Sequence, residues 1–288
     1  MTFPAIEVQQ LRKTFHGHTA LRDVCLRVEP GEMVALLGAS GSGKSTLLRH
    51  LNGLHRADAG SASEVWVMGR LVQRAGVLSP EIRALRSEIA TVFQQFNLVE
   101  RLPVMVNVMA GALHRLPLWR GLLRRFPAAE RERAFAALQH VGIERCAWQP
   151  ARTLSGGQQQ RAAISRALVQ QAKLILADEP IASLDPESAR RVMQLLADLN
   201  RERGVTALVS LHQVEHAFAF CPRTIALRAG EVVYDGATKQ LTPALLRELY
   251  GSQSDELLRP AGNVLDVQAP HDGARRPSTP GFGELQAA

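Results

Sequence analysis

Residues 33–51 read MVALLGASGSGKSTLLRHL, and this stretch holds three kinds of local structure. Met33 to Leu37 is a short apolar run closed by Gly38, the pattern of a parallel strand buried on both faces. Gly38 to Thr46 then satisfies G-x-x-x-x-G-K-[ST] through Gly38, Gly43, Lys44 and Ser45. Ala39, Ser40, Gly41 and Ser42 complete a loop whose glycines let backbone N–H groups curl around phosphate oxygens. Lys44 can neutralise the β and γ phosphates, and the Ser45 hydroxyl can ligate Mg²⁺. The helix opening behind them adds its positive end. Leu47, Leu48, Leu51 and Leu54 are expected on one face of that helix. A nucleotide-binding α/β core is therefore expected.

The other half of such a site stands at residues 174–180, LILADEP. Asp178 closes a second apolar strand, where its carboxylate can hold a Mg²⁺ shell through water. Glu179 beside it is placed to orient or deprotonate an attacking water. Residues 154–168, LSGGQQQRAAISRAL, present a further glycine pair behind a serine at the start of a helix. It looks like a second anion cradle, far from the first.

Around these motifs the chain reads as an α/β domain with a mainly parallel sheet. It begins with strands in AIEVQQL and LRDVCLRVEPGE, the latter with a turn at Pro30-Gly31. Residues 80–168 are richer in helix signals, and Phe135, Leu138 and Val141 fall at three-residue steps. After Asp178, Asp185 can cap a helix with Pro186 in its first turn and Gly204 at its stop. TALVSLH is another buried strand, and TIALRAGEVVYDG reads as a hairpin turning at Ala229-Gly230. A last helix should run from Thr242 and Pro243 to Gly251. The 252–288 stretch is rich in Pro, Gly and Ala without a sustained period, and reads as a flexible tail.

Composition narrows the class. The chain has 288 residues, a net charge of +7 and 46% hydrophobic residues, with lysine only at positions 13, 44, 173 and 239. The basic excess suits phosphorylated ligands, nucleic acid or an anionic membrane and does not choose among them. Cys25, Cys146 and Cys221 lack the paired spacing of a zinc site or disulfide framework. No signal-peptide pattern and no bilayer-spanning apolar run is visible. Any membrane spans would therefore come from other chains.

Over roughly residues 5 to 251 the chain resembles the ATP-binding cassette family of transport ATPases. GASGSGKST, VFQQ, LSGGQQQR, LILADEP with SLD, and SLHQ occur in that family's order. The resemblance implies a P-loop NTPase fold with an N-terminal antiparallel β subdomain and a helical subdomain inserted at about 95–168. It implies that Phe15 stacks on adenine, that Gln94 ligates Mg²⁺ and senses a transmembrane partner, and that His212 contacts the γ-phosphate. Ser155, Gly156, Gly157 and Gln158 become the signature loop, and Asp185 crosses the subunit contact. A head-to-tail homodimer follows, in which the second cradle serves the partner's ATP. His212 ends its strand, so His212 and His216 are not expected to form a metal pair on one helix face.

Segments such as DEPIASLDPESA, LHQVEHA and FNLVERLPVMVNV resemble the ATP-binding subunits of bacterial phosphonate importers. That likeness implies a peripheral protein on the cytoplasmic face of the inner membrane. Its partners would be a membrane permease and, through it, a periplasmic substrate-binding protein. An importer for phosphate, phosphite or polar amino acids stays open, as does a cassette subunit of a carbon–phosphorus lyase assembly. A DNA-acting cassette would carry a long coiled coil, and no sustained heptads occur, so no nucleic-acid partner is expected. The basic, Trp-containing stretch from His114 to Arg125 reads either as a surface toward permease or anionic lipid, or as an ordinary solvated helix face.

Overall fold

Alternation of side chains along the strands sorts the apolar residues onto two cores. In the computed structural model, which describes residues 3–251, β1 (Ile6–Phe15) and β2 (His18–Val28) form an antiparallel hairpin. Its turn is at the polar His16-Gly17, where His16 has φ 45° and Gly17 has φ 83°. β3 (Met33–Leu37) leads into α1 (Lys44–Leu51). β4 (Glu64–Val67), β5 (Arg70–Arg74) and β6 (Val77–Leu78) complete a five-stranded antiparallel sheet of order β2-β1-β4-β5-β6.

After α2 (Ile82–Arg86) and β7 (Ile89–Val92) comes a run of helices: α3 (Val104–Met109), α4 (Leu118–Leu122), α5 (Ala128–His140) and α6 (Gly156–Gln170). The chain returns through β8 (Leu174–Asp178), α7 (Pro186–Arg203), β9 (Thr206–Ser210) and α8 (Val214–Phe220). β10 (Arg223–Arg228), β11 (Glu231–Ala237) and α9 (Pro243–Tyr250) finish the described chain. The second sheet has the order β11-β10-β3-β9-β8-β7, parallel except at β11. The hairpin expected at Ala229-Gly230 is the β10–β11 turn.

Period-two alternation sends Val34, Leu36, Leu174, Leu176 and Leu208 to one face of the parallel sheet. There they pack with α1 and the antiparallel sheet. Ala35, Leu37, Ile175, Ala177 and Val209 point to the other face, against α3, α5, α6 and α7. Leu47, Leu48 and Leu51 wedge α1 between the sheets, each contributing about 1.5–3 kcal/mol by burial. α7 starts and stops as its residues dictate. Asp185 accepts from Ser188 N at 2.9 Å, Pro186 occupies the first turn, and Gly204 takes φ 63°. Thr242 caps α9 in the same way, accepting from Leu245 N at 3.2 Å.

Three expectations are corrected. Leu54 is exposed, because α1 ends at Leu51 and the chain has turned away. Phe135 is exposed as well: α5 buries Ala134, Ala137 and Leu138, a stripe spaced i, i+3, i+4 that leaves Phe135 outside it. The helix-rich stretch 80–168 contains a strand, β7, whose four residues are too short a run to show a period. The expected tail, 252–288, lies outside the described residues.

Candidate functional site

The parallel sheet places four loops side by side, because β3, β9, β8 and β7 are neighbours in that order. Ligands of open α/β sheets sit at the carboxyl ends of such strands. The loop after β3 runs from Gly38 to Gly43. A Cβ on Gly38 would come within 2.3 Å of Leu227 O, and one on Gly43 within 2.7 Å of Ala20 O. Both glycines have positive φ, 148° and 106°, so the loop's shape excludes any other residue there.

Lys44 is only 4% exposed. Its Nζ donates to Gly38 O at 2.7 Å and Ala39 O at 3.1 Å, bracing the loop from within. Burial lowers its pKa, and the nearby Glu179 and Asp178 carboxylates pull it back up. Ser40 to Thr46, Ala20 and Glu179 line a hollow of about 290 Å³. A larger hollow, about 550 Å³, lies away from this loop between Lys173, Arg203 and apolar side chains. None of residues 38–46 lines it.

On the facing wall, Ser45 Oγ donates to Asp178 Oδ1 at 2.8 Å. Ser210, at the end of β9, donates to the same oxygen at 3.0 Å and accepts from Glu179 N at 2.8 Å. Glu179 is held at φ 49°, a conformation that costs a non-glycine residue energy and persists only where its surroundings enforce it. Its Oε1 lies 2.5 Å from His212 Nε2. Ser45, Asp178, Glu179 and His212 thus form one wall hydrogen-bonded through Ser210, with Lys44 beside it in the loop. Ser210 belongs to that wall and was not singled out from sequence, although its place two residues before His212 in SLHQ was a signal.

The remaining residues lie around this centre. Phe15 is half-buried at the end of β1, with the His55 ring edge-on at 5.5 Å and Lys13 Nζ 5.0 Å from its centroid. Gln94 is exposed just beyond β7 and does not line the hollow. The same loop is anchored from α6, where Arg166 Nη1 donates to Asn97 O at 2.7 Å. None of Ser155, Gly156, Gly157 or Gln158 lines the hollow. Ser155 Oγ accepts from Gln158 N at 3.3 Å while Gln158 Oε1 accepts from Ser155 N at 2.9 Å, a reciprocal cap at the exposed start of α6. Asp185, at the surface, has its pKa lowered by the Ser188 hydrogen bonds.

Among the described residues no three His, Cys, Asp or Glu side chains cluster as a metal cage. Mg²⁺ does not need one: it keeps water and phosphate oxygens and takes one or two protein ligands. The adjacent oxygens of Ser45 and Asp178 fit that demand.

Residues 21–182 match the family model described as ABC transporter. The chain belongs to the ABC transporter family. The phosphonates import ATP-binding protein PhnC of Cupriavidus pinatubonensis is 63% identical over 255 residues, covering 88% of this chain and 90% of that one. The protein of the same name from Paraburkholderia xenovorans is 59% identical over 263 residues, covering 91% and 87%. A dimeric ATP-binding cassette bound to ADP and phosphate superposes with a TM-score of 0.69 at 34% identity, covering 82% of this chain and all of that one. A Clostridium perfringens cassette that is part of an ABC transporter complex gives 0.70 at 28% identity, covering 85% and 94%. This cassette is thus an ATPase of mixed α/β fold. No helix among the described residues is long and apolar enough to cross a membrane.

Proposed function

We propose that this cassette ATPase is the ATP-hydrolysing subunit of a bacterial phosphonate importer, and that it works as a head-to-tail homodimer docked on a separate permease. The substrate rests on one observation, the 63% identity to a phosphonates import ATP-binding protein. The chemistry rests on the wall that joins Ser45, Asp178, Glu179 and His212. The domain carrying this activity spans about 5–251, with the helical part at about 95–168, and sits on the cytoplasmic face of the inner membrane.

Phe15 stacks on the adenine, and the loop from Gly38 to Thr46 wraps the phosphates with backbone N–H groups. Lys44 exchanges its bonds to Gly38 O and Ala39 O for bonds to the β and γ phosphates. Ser45 and Asp178 would hold Mg²⁺, with Gln94 reaching in from its loop; bound there, the ion neutralises phosphate charge. Glu179 takes the proton of the attacking water. His212, already bonded to Glu179, fixes that carboxylate's rotamer and faces the γ-phosphate. Ser155, Gly156, Gly157 and Gln158 meet the ATP held by the partner, and Asp185 lies along the subunit contact. Gln94 sits where the permease reports whether solute is loaded.

Growth tests the substrate. Deleting the gene should abolish growth on methylphosphonate as sole phosphorus source and leave growth on phosphate intact. Unchanged growth on methylphosphonate, in a strain without a second importer, would overturn the assignment.

A further inference from the structure

The helical run carries a surface that takes no part in the ATP site. From Arg101 to Ala129 the sequence contains five arginines and no aspartate or glutamate. The carboxylate that closes this stretch, the buried Glu130, is already used. It accepts from Arg115 at 3.0 and 2.8 Å and from Arg133 at 2.9 Å. Arg120, Arg124, Arg125 and Arg131 surround a hollow of about 330 Å³ whose other walls are Met109, Phe126 and Pro127. Among the described residues none of these four arginines has an acidic partner, whereas Arg22, Arg27, Arg74 and Arg191 on other surfaces each meet a carboxylate.

Beside the hollow stands α4, and its orientation is fixed by packing. Gly121 faces Leu113 so closely that a Cβ would lie 2.7 Å from Leu113 Cδ2. With that side against the protein, Trp119, Leu122 and Leu123 project outward, 51%, 83% and 61% exposed. The Arg120 guanidinium stays 5.2 Å from the Trp119 ring, so cation and aromatic point the same way. Arg124, at φ 53°, turns the chain so that Arg125 and Phe126 close the hollow.

We propose that this face rests on the anionic phospholipid surface. Trp119, Leu122 and Leu123 enter the headgroup layer, and the arginine-lined hollow receives a lipid phosphate. An aromatic ring and two leucines flanked by cations are the composition of an interfacial anchor. Guanidinium groups match phosphate oxygens in a bidentate fork, and four without a counter-charge attract an anion strongly. An acidic protein surface could also satisfy the charge. Leucines this exposed, however, stand out from the protein instead of lining a groove, and suit a deformable layer. The proposal depends on this surface alone and is independent of the transported solute.

Flotation of the full chain with equimolar phosphatidylglycerol and phosphatidylcholine vesicles tests it. Changing Arg120→Glu, Arg124→Glu and Arg125→Glu together should weaken binding on the order of 100-fold. The same charge change elsewhere, Arg12→Glu, Arg83→Glu and Arg203→Glu together, should weaken it far less. Fluorescent-nucleotide binding, unchanged in both variants, reports that each is folded. In a Trp66→Phe, Trp148→Phe background the emission of Trp119 should shift to the blue on vesicle addition and be quenched by brominated lipid. Equal weakening by the two triple changes would overturn the proposal, as would an unshifted Trp119. Unchanged vesicle binding by the first triple change, together with lost co-purification of the permease, would assign the face to protein instead.

Discussion

Lys44 and Ser155 stand at the mouths of two glycine-rich loops, each opening a helix, yet the rest of the chain encloses only the first of them. Around Lys44 the loop is enclosed by Leu227, Ala20 and the facing acids, and Gly43, at the cap position of α1, supplies no side-chain cap. Its first N–H groups are therefore left for a ligand. Around Ser155 the reverse holds. The helix start is exposed, and Ser155 and Gln158 satisfy each other through a reciprocal cap. One loop lines a finished hollow of about 290 Å³. The other is a self-satisfied terminus, and in the proposed dimer it would trade its 3.3 Å bond for the partner's phosphate.

The strongest test of this contrast separates the two loops in one background. Glu179→Gln should lower ATP turnover by about 10²–10⁴, keep nucleotide binding and accumulate an ATP-bound dimer in sedimentation. Adding Ser155→Arg should abolish that dimer and leave the monomer's ATP affinity unchanged, whereas Lys44→Ala should remove the monomer's affinity. If Ser155→Arg removed monomer binding, the second loop would be serving its own chain's nucleotide.

A smaller effect concerns the buried helix behind the finished pocket. His50 is fully buried on α1; its Nδ1 donates to Thr46 O at 2.7 Å and its Nε2 has no partner among the described residues. Burial holds its pKa down at about 4, against an ordinary 6.5. The unfolded ring therefore takes up a proton that the folded ring refuses. Stability is fully present above pH 6.5 and is lost as pH falls toward 4, by about 3 kcal/mol across that window. Urea unfolding at pH 7 and pH 4.5 should show this loss, and His50→Asn should flatten it. An unchanged slope in the variant would assign the acid sensitivity to other groups.

The smallest effect lies at the exposed loop. Ser155→Ala removes the cap of α6 and should cost about 1 kcal/mol of stability in urea unfolding of the nucleotide-free protein. A loss near zero would mean that water replaces the cap without penalty, and the reciprocal bond would not distinguish the two loops.

How much of this was legible beforehand depended on what each residue's role required. The loop from Gly38 to Thr46 announces itself because phosphate wrapping demands glycines at fixed offsets, and the ends of α7 and α9 because caps use few residue types. Asp178 and Glu179 were legible from one local word. Ser210 was not, because a serine ending an apolar strand looks like any other until its two partners, Asp178 and Glu179, are brought beside it by strand pairing. β4, β5 and β7 escaped for a related reason: four or five residues with mixed polarity carry too little period. Phe135 misled because its side chain is the most apolar on α5, while the packed stripe is set by small alanines.

The strand order also has a consequence for how the protein is made. β3 carries the glycine loop near the start of the chain, but both of its neighbours in the sheet, β9 (Thr206–Ser210) and β10 (Arg223–Arg228), are made more than 160 residues later. Until they emerge, Met33 to Leu37 is an apolar strand with two open edges, the arrangement most prone to pairing with a foreign strand. A chain halted before residue 206 would own the complete glycine loop and have neither strand that pairs with β3 to hold it. Such fragments should be substrates for chaperones, and the ability to capture nucleotide should arise late and abruptly during synthesis.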